Sequence, residues 1–598
     1  MKKNDKIYFL YRAMTRKNKN GVSISQIGIA ESYDGISFHK RRLLITPDTL
    51  WDCFGCEDPR VTKLNNKYYV FYTALSHYPP RPDGIRVGLA ITKNFKKIDK
   101  KYLITHFNAK AMALFPEKIN GKIWAILTVH TDLPPAKICL ASFNNEKEIW
   151  SREYWYKWYQ KFEDYSLPLQ RSSDDHIEVG TPPLKTPYGW LLIYSYIKNY
   201  FSEKERLFTV EAVLLDLKNP FKIISRTNFP ILIPEEYYEK TGIVSDVIFP
   251  SGAFIKNNVI YLYYGAADTT CCLAFIDLPF LIKTMKHGKI KMKRAAKRPI
   301  ITPIIKHKWE SKATFNPGAI YLNGEVHIIY RALSEDNTSV FGYAKSKDGI
   351  NIDYRSSEPI YTPKEPFENK KFPDAASGCE DPRLTIIDDK IYMLYTAFDG
   401  EIPRVAMTSI DVNDFLEQNW KWAKAKVISP LDIPDKNACI FPEKYAGKYI
   451  IVHRLDDSIH YSLCEDLNIV KELDDNKWIS PRKSMWDCVK VGIAAPPIKT
   501  NNGWILFYHG VDKNKVYRVG ALLLELDNPL KIIRRSMYPI LEPEMWYERW
   551  GIVPNVVFPC GAVKINKDIY LYYGAADTVV GVAKIKINDL FWHLGVKL

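Results

Sequence analysis

The chain has 598 residues, 46% of them hydrophobic and 25% charged, a globular composition too long for one ordinary domain. A formal charge of +16 would suit a polyanionic partner, but Lys and Arg are scattered singly or in short pairs such as Lys96-Lys97, with no basic run and no nucleic-acid motif. A generally basic, Lys-rich proteome or a small anionic substrate is expected instead, with no nucleic acid. Ten cysteines do not make a disulfide framework, and no apolar run approaches a membrane span. Met1 to Lys6 leads into a strand with no apolar signal region, so a soluble, cytoplasmic, membrane-free protein is expected.

In chain order, the first marked stretch is Gly55-Cys56-Glu57-Asp58-Pro59-Arg60, followed by an alternating strand-like run from Lys67 to Ala74. It recurs as Gly378-Cys379-Glu380-Asp381-Pro382-Arg383, followed by Lys390 to Ala397. Five further stretches recur in the same order. Tyr11-Arg12-Ala13 matches Tyr330-Arg331-Ala332, and Phe115-Pro116-Glu117-Lys118 matches Phe441-Pro442-Glu443-Lys444. Pro182 to Thr186 with Gly189-Trp190 matches Pro496 to Thr500 with Gly503-Trp504, and Asp216 to Pro220 matches Glu525 to Pro529. Tyr263 to Asp268 matches Tyr572 to Asp577. The offsets run from 309 to 326 residues, which marks duplication of a whole domain and not a short solenoid repeat. Cys53-Phe54-Gly55-Cys56 is a C-x-x-C, but the second copy shares only Cys379, so a metal or redox site is not expected.

Each unit consists of short strands with period-two alternation between Gly, Asn, Asp and Pro turns. Ile320 to Tyr330, turning at Asn323-Gly324, and Ile565 to Tyr573, turning at Asn566-Lys567-Asp568, read as hairpins. Helical periodicity is confined to Leu278 to Met285 and a piece within Ile149 to Asp164. Roughly twenty strands per unit fit radial repetition of small sheets better than a sandwich. The fold class is therefore all-β, two tandem β-propellers, at 1–290 and 298–598, joined by a solvated basic connector around Lys286 to Lys297. The second unit opens with Phe315-Asn316-Pro317-Gly318-Ala319. The first starts directly at the Tyr11-Arg12 strand, so its opening strand and that asparagine are missing from the written chain.

Together these stretches resemble glycoside hydrolase family 130, the β-mannoside phosphorylases and their hydrolytic relatives. The resemblance rests on Phe315 to Gly318, Tyr330-Arg331, Gly378 to Arg383, Phe441 to Lys444, His453-Arg454, Pro496 to Thr500, Tyr508-His509-Gly510, Phe558-Pro559 and Tyr573 to Asp577. It implies five blades per propeller, an active site in the central mouth, and a general acid at Asp381. It also implies attack of inorganic phosphate on the anomeric carbon with inversion, the proton reaching the leaving oxygen through a sugar hydroxyl.

An inverting hydrolase needs an acid and a base, whereas a phosphorylase needs one acid plus cations to hold its anionic nucleophile. Arg404, Arg454, Lys499 and His509 are the phosphate candidates, because Arg can grip two oxygens and His can donate one more bond. Asn316, Arg331, Glu380, Arg383 and Asp577 are placed at the sugar, with Arg383 and Arg331 also readable as ion-pair partners and Asp577 as an Asx turn. Arg383 is expected to pin its loop through Glu380. Glu544 and Glu548 are the places for a second carboxylate, and Trp546 and Trp550 either stack on sugar or are buried.

The first unit keeps Asp58, Arg60, Arg86, Lys118, Lys185 and Asp268. Laying Val129-His130 on Val452-His453 puts Thr131 opposite Arg454, and counting from Gly-Trp puts Ser195 opposite His509. The first unit is therefore expected to be a degenerate propeller with a structural role, with a site for a different acceptor or a hydrolase as the alternatives. The second is expected to phosphorolyse β-linked mannosides to α-mannose 1-phosphate, with phosphate as co-substrate and no cofactor or metal. The alternatives are an inverting β-mannosidase, a non-catalytic sugar-binding propeller and a furanosidase-like hydrolase.

Overall fold

Strands form where apolar and polar residues alternate, and hairpins form where left-handed residues separate them. Asn323 and Gly324, with φ of 50° and 81°, join Ala313–Leu322 to Glu325–Leu333 in this way. The computed structural model describes residues 1–3, 6–16, 21–430, 432–470 and 472–596. The chain divides into two units, Met1–Gly288 and Lys289–Leu598.

Among the described residues of the second unit, the strands make five antiparallel blades. Their innermost strands are Ala313–Leu322, Ser377–Ile387, Asp435–Ile440, Lys490–Ile493 and Val557–Ile565. These strands touch one another around a centre. Thr385 Oγ1 donates to the Ile440 carbonyl (3.0 Å), and Arg383 reaches the carbonyls of Ile493 and Ala494 (2.9 and 3.0 Å). A Cβ at Gly318 would fall 2.6 Å from the Pro382 carbonyl oxygen, so glycine permits the close approach of the first two blades. This is a five-bladed propeller.

Several blades repeat one buried device: a tyrosine hydroxyl on a carboxylate that an arginine neutralises. Tyr330 bonds Glu310 (2.8 Å), Tyr508 bonds Asp487 (3.0 Å) and Tyr573 bonds Glu548 (2.7 Å), with Arg355, Arg535 and Arg294 as the cations. The carboxylates are fully buried, and a buried charge persists only when paired and hydrogen-bonded in this way.

The stretch read as a connector is in part a strand. Lys293–Arg294 pairs with Lys584 and Ala583 on the outer edge of the last blade, and Arg294 reaches Glu548 at 2.7 Å. The second unit thus begins at Lys289 rather than 298, because this strand covers an otherwise open sheet edge.

The first unit has the same blade order, with innermost strands Gly55–Leu64, Ala109–Leu114, His176–Val179 and Ile248–Lys256. At its start Lys2–Lys3 pairs with Ile7 and Lys6. Leu278–His287 is helical, and Arg152–Tyr159 is a helix between two short 3₁₀ turns. Among the described residues, no helix is long and apolar enough to cross a membrane.

Candidate active site

The innermost strands do not run straight. Their registers slip between Phe315 and Gly318, between Glu380 and Arg383, and between Lys436 and Cys439. Each slip holds a left-handed residue: Asn316 (φ 46°), Asp381 (φ 55°) and Asn437 (φ 55°). A β-bulge re-aims the side chain it carries, and Asn and Asp tolerate left-handed backbone better than most residues. Three polar side chains thereby leave the ladder at one end of the propeller axis.

Asn316 Nδ2 donates to Asp381 Oδ1 at 2.8 Å. Arg331 bridges the acids, with one amino group 2.7 Å from Glu380 Oε1 and the other 3.4 Å from Asp381 Oδ1, while its Nε donates to Ser339 and its plane lies over Phe315. Lys436 Nζ stands 3.7 Å from the other oxygen of Glu380. Arg383 is fully buried and, contrary to expectation, does not bond Glu380. It donates to the carbonyl of Asp381 (2.9 Å) and to Ile493 and Ala494, fixing the acid's backbone to the fourth blade.

Asp577 joins this group. Burial pushes its carboxyl up to about 6, and the charges of Asp381 and Glu380 add to the rise against the opposing pull of Arg331. A carboxyl raised in the folded state adds stability below its unfolded pKa of 3.8, and that contribution is lost as pH rises through about 6. Asp577→Asn is therefore expected to raise the melting temperature at pH 7. The gain is at most about 3 kcal/mol, less what solvent screening removes, and it vanishes near pH 4. Thermal scans of both proteins at the two pH values check this, and equal melting curves at pH 7 would refute it.

Arg454 and His509 face the same place. Arg454 lies opposite Lys436 on the neighbouring strand, its Nε has no partner, and burial holds it below its ordinary value. His509 is fully buried beside Phe558 (4.5 Å), and neither ring nitrogen has a well-formed partner. Burial, with the charges of Arg454 and Arg383, pushes it well below the usual histidine range, so its ring is neutral near pH 7. The amide oxygens of Asn316 and Asn437 are also unpartnered. A Cβ at Gly492 would collide with the His509 ring and lie 2.9 Å from Asn437 Oδ1, so glycine is what lets these groups converge. Buried polar atoms without partners are rare, and several aimed at one space mark the seat of a polar ligand.

Other expected residues lie elsewhere. Lys499 pairs with Glu443 and is opposite Trp504, five residues along the strand from His509, or roughly 17 Å. It belongs to the other end of the blade, as does its counterpart Lys185, paired with Glu117 at 2.5 Å. Arg404 donates to Asp399 (3.0 Å) and the Ile402 carbonyl, so its charge is already compensated within its own turn. Arg86 likewise donates to the Asp83 carbonyl. Glu544 and Glu548 are tied to Lys291 and Arg294, and Trp546 and Trp550 are exposed beside them. Neither glutamate is free to act as a base.

The first unit shows the same frame with other contents. Asp58 is left-handed (φ 49°), Arg60 donates to Asp58, Val179 and Gly180, and Arg12 holds Glu57 at 2.6 Å. Asp268 is raised by burial, as Asp577 is. The strand register corrects one assignment: Lys110 opposes Thr128 as Lys436 opposes Arg454, so Thr128, not Thr131, replaces the arginine. Ser195 does replace His509, and Glu178 stands where the second unit has Gly492. The buried arginine and imidazole are gone, and a carboxylate enters. Ala111 keeps the left-handed bulge of Asn437 without its amide.

Lys436 and Asn437 were missed from sequence. Extending the Phe-Pro-Glu-Lys repeat five residues backward would have aligned Lys436 with Lys110.

The family profile described as "Glyco_hydro_130: beta-1,4-mannooligosaccharide phosphorylase" matches residues 2–287 and again 291–594. A 1,2-beta-oligomannan phosphorylase of Thermoanaerobacter sp. (strain X514) is 42% identical over 313 residues, 50% of this chain and 99% of that protein. A beta-1,2-mannobiose phosphorylase of the same organism is 43% identical over 309 residues, 50% of this chain and 97% of that protein. The solved beta-1,2-mannobiose phosphorylase from Listeria innocua, in complex with beta-1,2-mannobiose, is 26% identical over 51% of this chain and 99% of its own, with a TM-score of 0.44.

Proposed function

The chain belongs to glycoside hydrolase family 130, and from that premise we propose that its second unit carries out inverting phosphorolysis of β-linked mannosides, releasing α-mannose 1-phosphate. The carrying observation is the set of unpartnered buried groups, Arg454 Nε, His509 and Asn437 Oδ1, with Arg454 near enough to Asp381 to feel its charge. Arg454 and His509 supply the positive and donor surface that a desolvated phosphate needs, and the buried carboxylate next to Arg454, Asp435, is engaged through one oxygen by His453 at 2.8 Å. The two Thermoanaerobacter relatives, phosphorylases by name, support the same reading.

In this reading a phosphate oxygen bonds to the anomeric carbon as the glycosidic C–O bond breaks on the opposite face, and the departing oxygen takes a proton that originates on Asp381. Asn316 and Arg331 hold that carboxyl in place, Arg383 fixes its backbone, and Arg454 with His509 orients the phosphate. Glu380, Lys436 and Asp577 are assigned to sugar hydroxyls. Phosphate is consumed as co-substrate, and these steps call on no cofactor. The first unit, with Thr128, Ser195 and Glu178 at the equivalent places, is not assigned phosphorolysis.

Incubation of the full chain with β-1,2- and β-1,4-mannobiose and mannosyl-glucose, with and without phosphate, tests this. Mannose 1-phosphate should form only with phosphate present. Free mannose at the same rate without phosphate would overturn the reading in favour of hydrolysis.

A further inference from the structure

One buried pair beside the second mouth takes no part in the steps assigned above. Asp435 and His453 are both fully buried, and Asp435 Oδ2 lies 2.8 Å from His453 Nδ1. Among the described residues Asp435 Oδ1 has no hydrogen-bond partner. The other ring nitrogen, His453 Nε2, lies 2.9 Å from the Asp474 carbonyl. A carbonyl oxygen only accepts, so Nε2 carries a proton and donates it. A second proton lies in the Nδ1–Oδ2 contact, on the nitrogen or on the oxygen, because two bare acceptors would repel. In either form the pair is neutral as a unit. It therefore leaves the charge of Arg454 uncancelled.

The first unit builds the same blade from other residues at these places. Ala109 opposes Val129 as Asp435 opposes Leu455, and Leu127 precedes Thr128 as His453 precedes Arg454. Ala109 and Leu127 are fully buried in one apolar cluster with Val87, Leu89 and Phe107. That blade has the same register slip, with the left-handed Ala111 inside it. Neither the blade nor its bulge requires the polar pair. Exchanging a buried ion pair for packed apolar residues is often neutral or stabilising, so scaffold stability does not account for Asp435 and His453. Their company does: the copy with the pair carries Arg454 and His509, and the copy with Ala109 and Leu127 carries Thr128 and Ser195.

The slip between Lys436 and Cys439 interrupts the ladder between the strand of Lys436 and Asn437 and the strand of Arg454. The bond from His453 to Asp435 joins those two strands through their side chains at the interruption. We propose that Asp435 and His453 are positioning residues of the anion site. Their bond steadies Arg454 against Lys436 and Asn437, and His453 keeps the Asp435 carboxylate from neutralising the arginine. Without the ring, a bare carboxylate would compete with phosphate for Arg454. Burial pushes the Asp435 carboxyl up, opposed by the hydrogen bond and charge of His453 and then by the charge of Arg454, which places the two groups within reach of each other. Both residues act through Arg454 and not on the reacting atoms. The proposal rests on the phosphate site assigned to the second unit.

The test uses the full chain with inorganic phosphate as the varied substrate. His453→Leu leaves the carboxylate alone beside Arg454 and is expected to raise KM for phosphate at least about tenfold, with kcat at saturating phosphate within about threefold of the parent. Adding Asp435→Ala installs the pair around which the first unit folds. That double variant is expected to recover to within about threefold of the parent KM and to melt no lower than the parent. Asp435→Ala alone should also stay within about threefold in KM, so the proposal can fail even where His453→Leu does not fold. Phosphate should raise the melting temperature of the parent and the double variant more than that of His453→Leu, a readout that needs no turnover. A purely structural role would instead make the double variant the most impaired. An unchanged KM in His453→Leu, a double variant as impaired as that single one, or a tenfold rise in Asp435→Ala would overturn the proposal. Failure of the phosphorolysis reading shows differently, as a parent chain that forms no mannose 1-phosphate.

Discussion

Asp381→Asn is expected to lower phosphorolysis at least about a thousandfold while leaving mannoside binding intact. The amide is isosteric, its oxygen can still accept from Asn316 Nδ2, and Arg331 keeps its 2.7 Å contact with Glu380. Arg383 holds the Asp381 carbonyl and not the side chain, so the left-handed bulge stays pinned. What is lost is the proton. The effect should therefore shrink for aryl mannosides whose leaving group needs no proton, a rescue that mere misfolding would not produce. Calorimetric titration with mannobiose separates binding from turnover. Activity within threefold of the parent would remove Asp381 from the reaction, and an equal loss in Asp58→Asn would move the chemistry to the first unit.

The repeated motifs made the duplication and the all-β blades legible, because turn chemistry and period-two alternation are local properties of sequence. Loop closure between distant strands is not local. Lys293–Arg294 reads as a basic connector until the open edge of the last blade, nearly three hundred residues away, is seen to need a strand. Lys499 misled for a related reason: it sits inside a repeated motif, and repetition preserves the scaffold of a blade at both of its ends. Its pairing with Glu443 recurs as Lys185 with Glu117, a structural contact kept in both copies.

The bulges explain why the site itself was half legible. Asn316, Asp381 and Asp577 announced themselves through punctuation, next to Pro or at a strand exit. Lys436 and Asn437 sit in Asp-Lys-Asn-Ala, with no proline and no glycine to mark the register slip. The alignment of His130 on His453 failed for a simpler reason: both copies carry the same slip, with Thr128 opposite Lys110 and Arg454 opposite Lys436, and the Val-His pair of the first copy lies three residues further along, so Arg454 is matched through its partner Lys436 and not through the nearest histidine.

The strongest separation of anion binding from scaffold comes from giving the second unit the residues of the first. Arg454→Thr is expected to cut kcat/KM for phosphate at least about thirtyfold with little change in KM for the mannoside, since a desolvated charge-assisted contact is worth about 2–5 kcal/mol. Stability should move the other way. Without its anion, Arg454 is a buried cation with an unpartnered Nε and a protonated form disfavoured by burial, so its removal should leave the melting temperature of the phosphate-free protein unchanged or higher. Phosphate should raise the melting temperature of the parent and fail to do so in the variant. His509→Ser should add to the phosphate defect but less steeply, because its neutral ring offers a hydrogen bond and not a charge. A variant that melts lower yet keeps its phosphate-induced shift would make Arg454 a structural residue, and the anion would have to be held by other groups of the mouth.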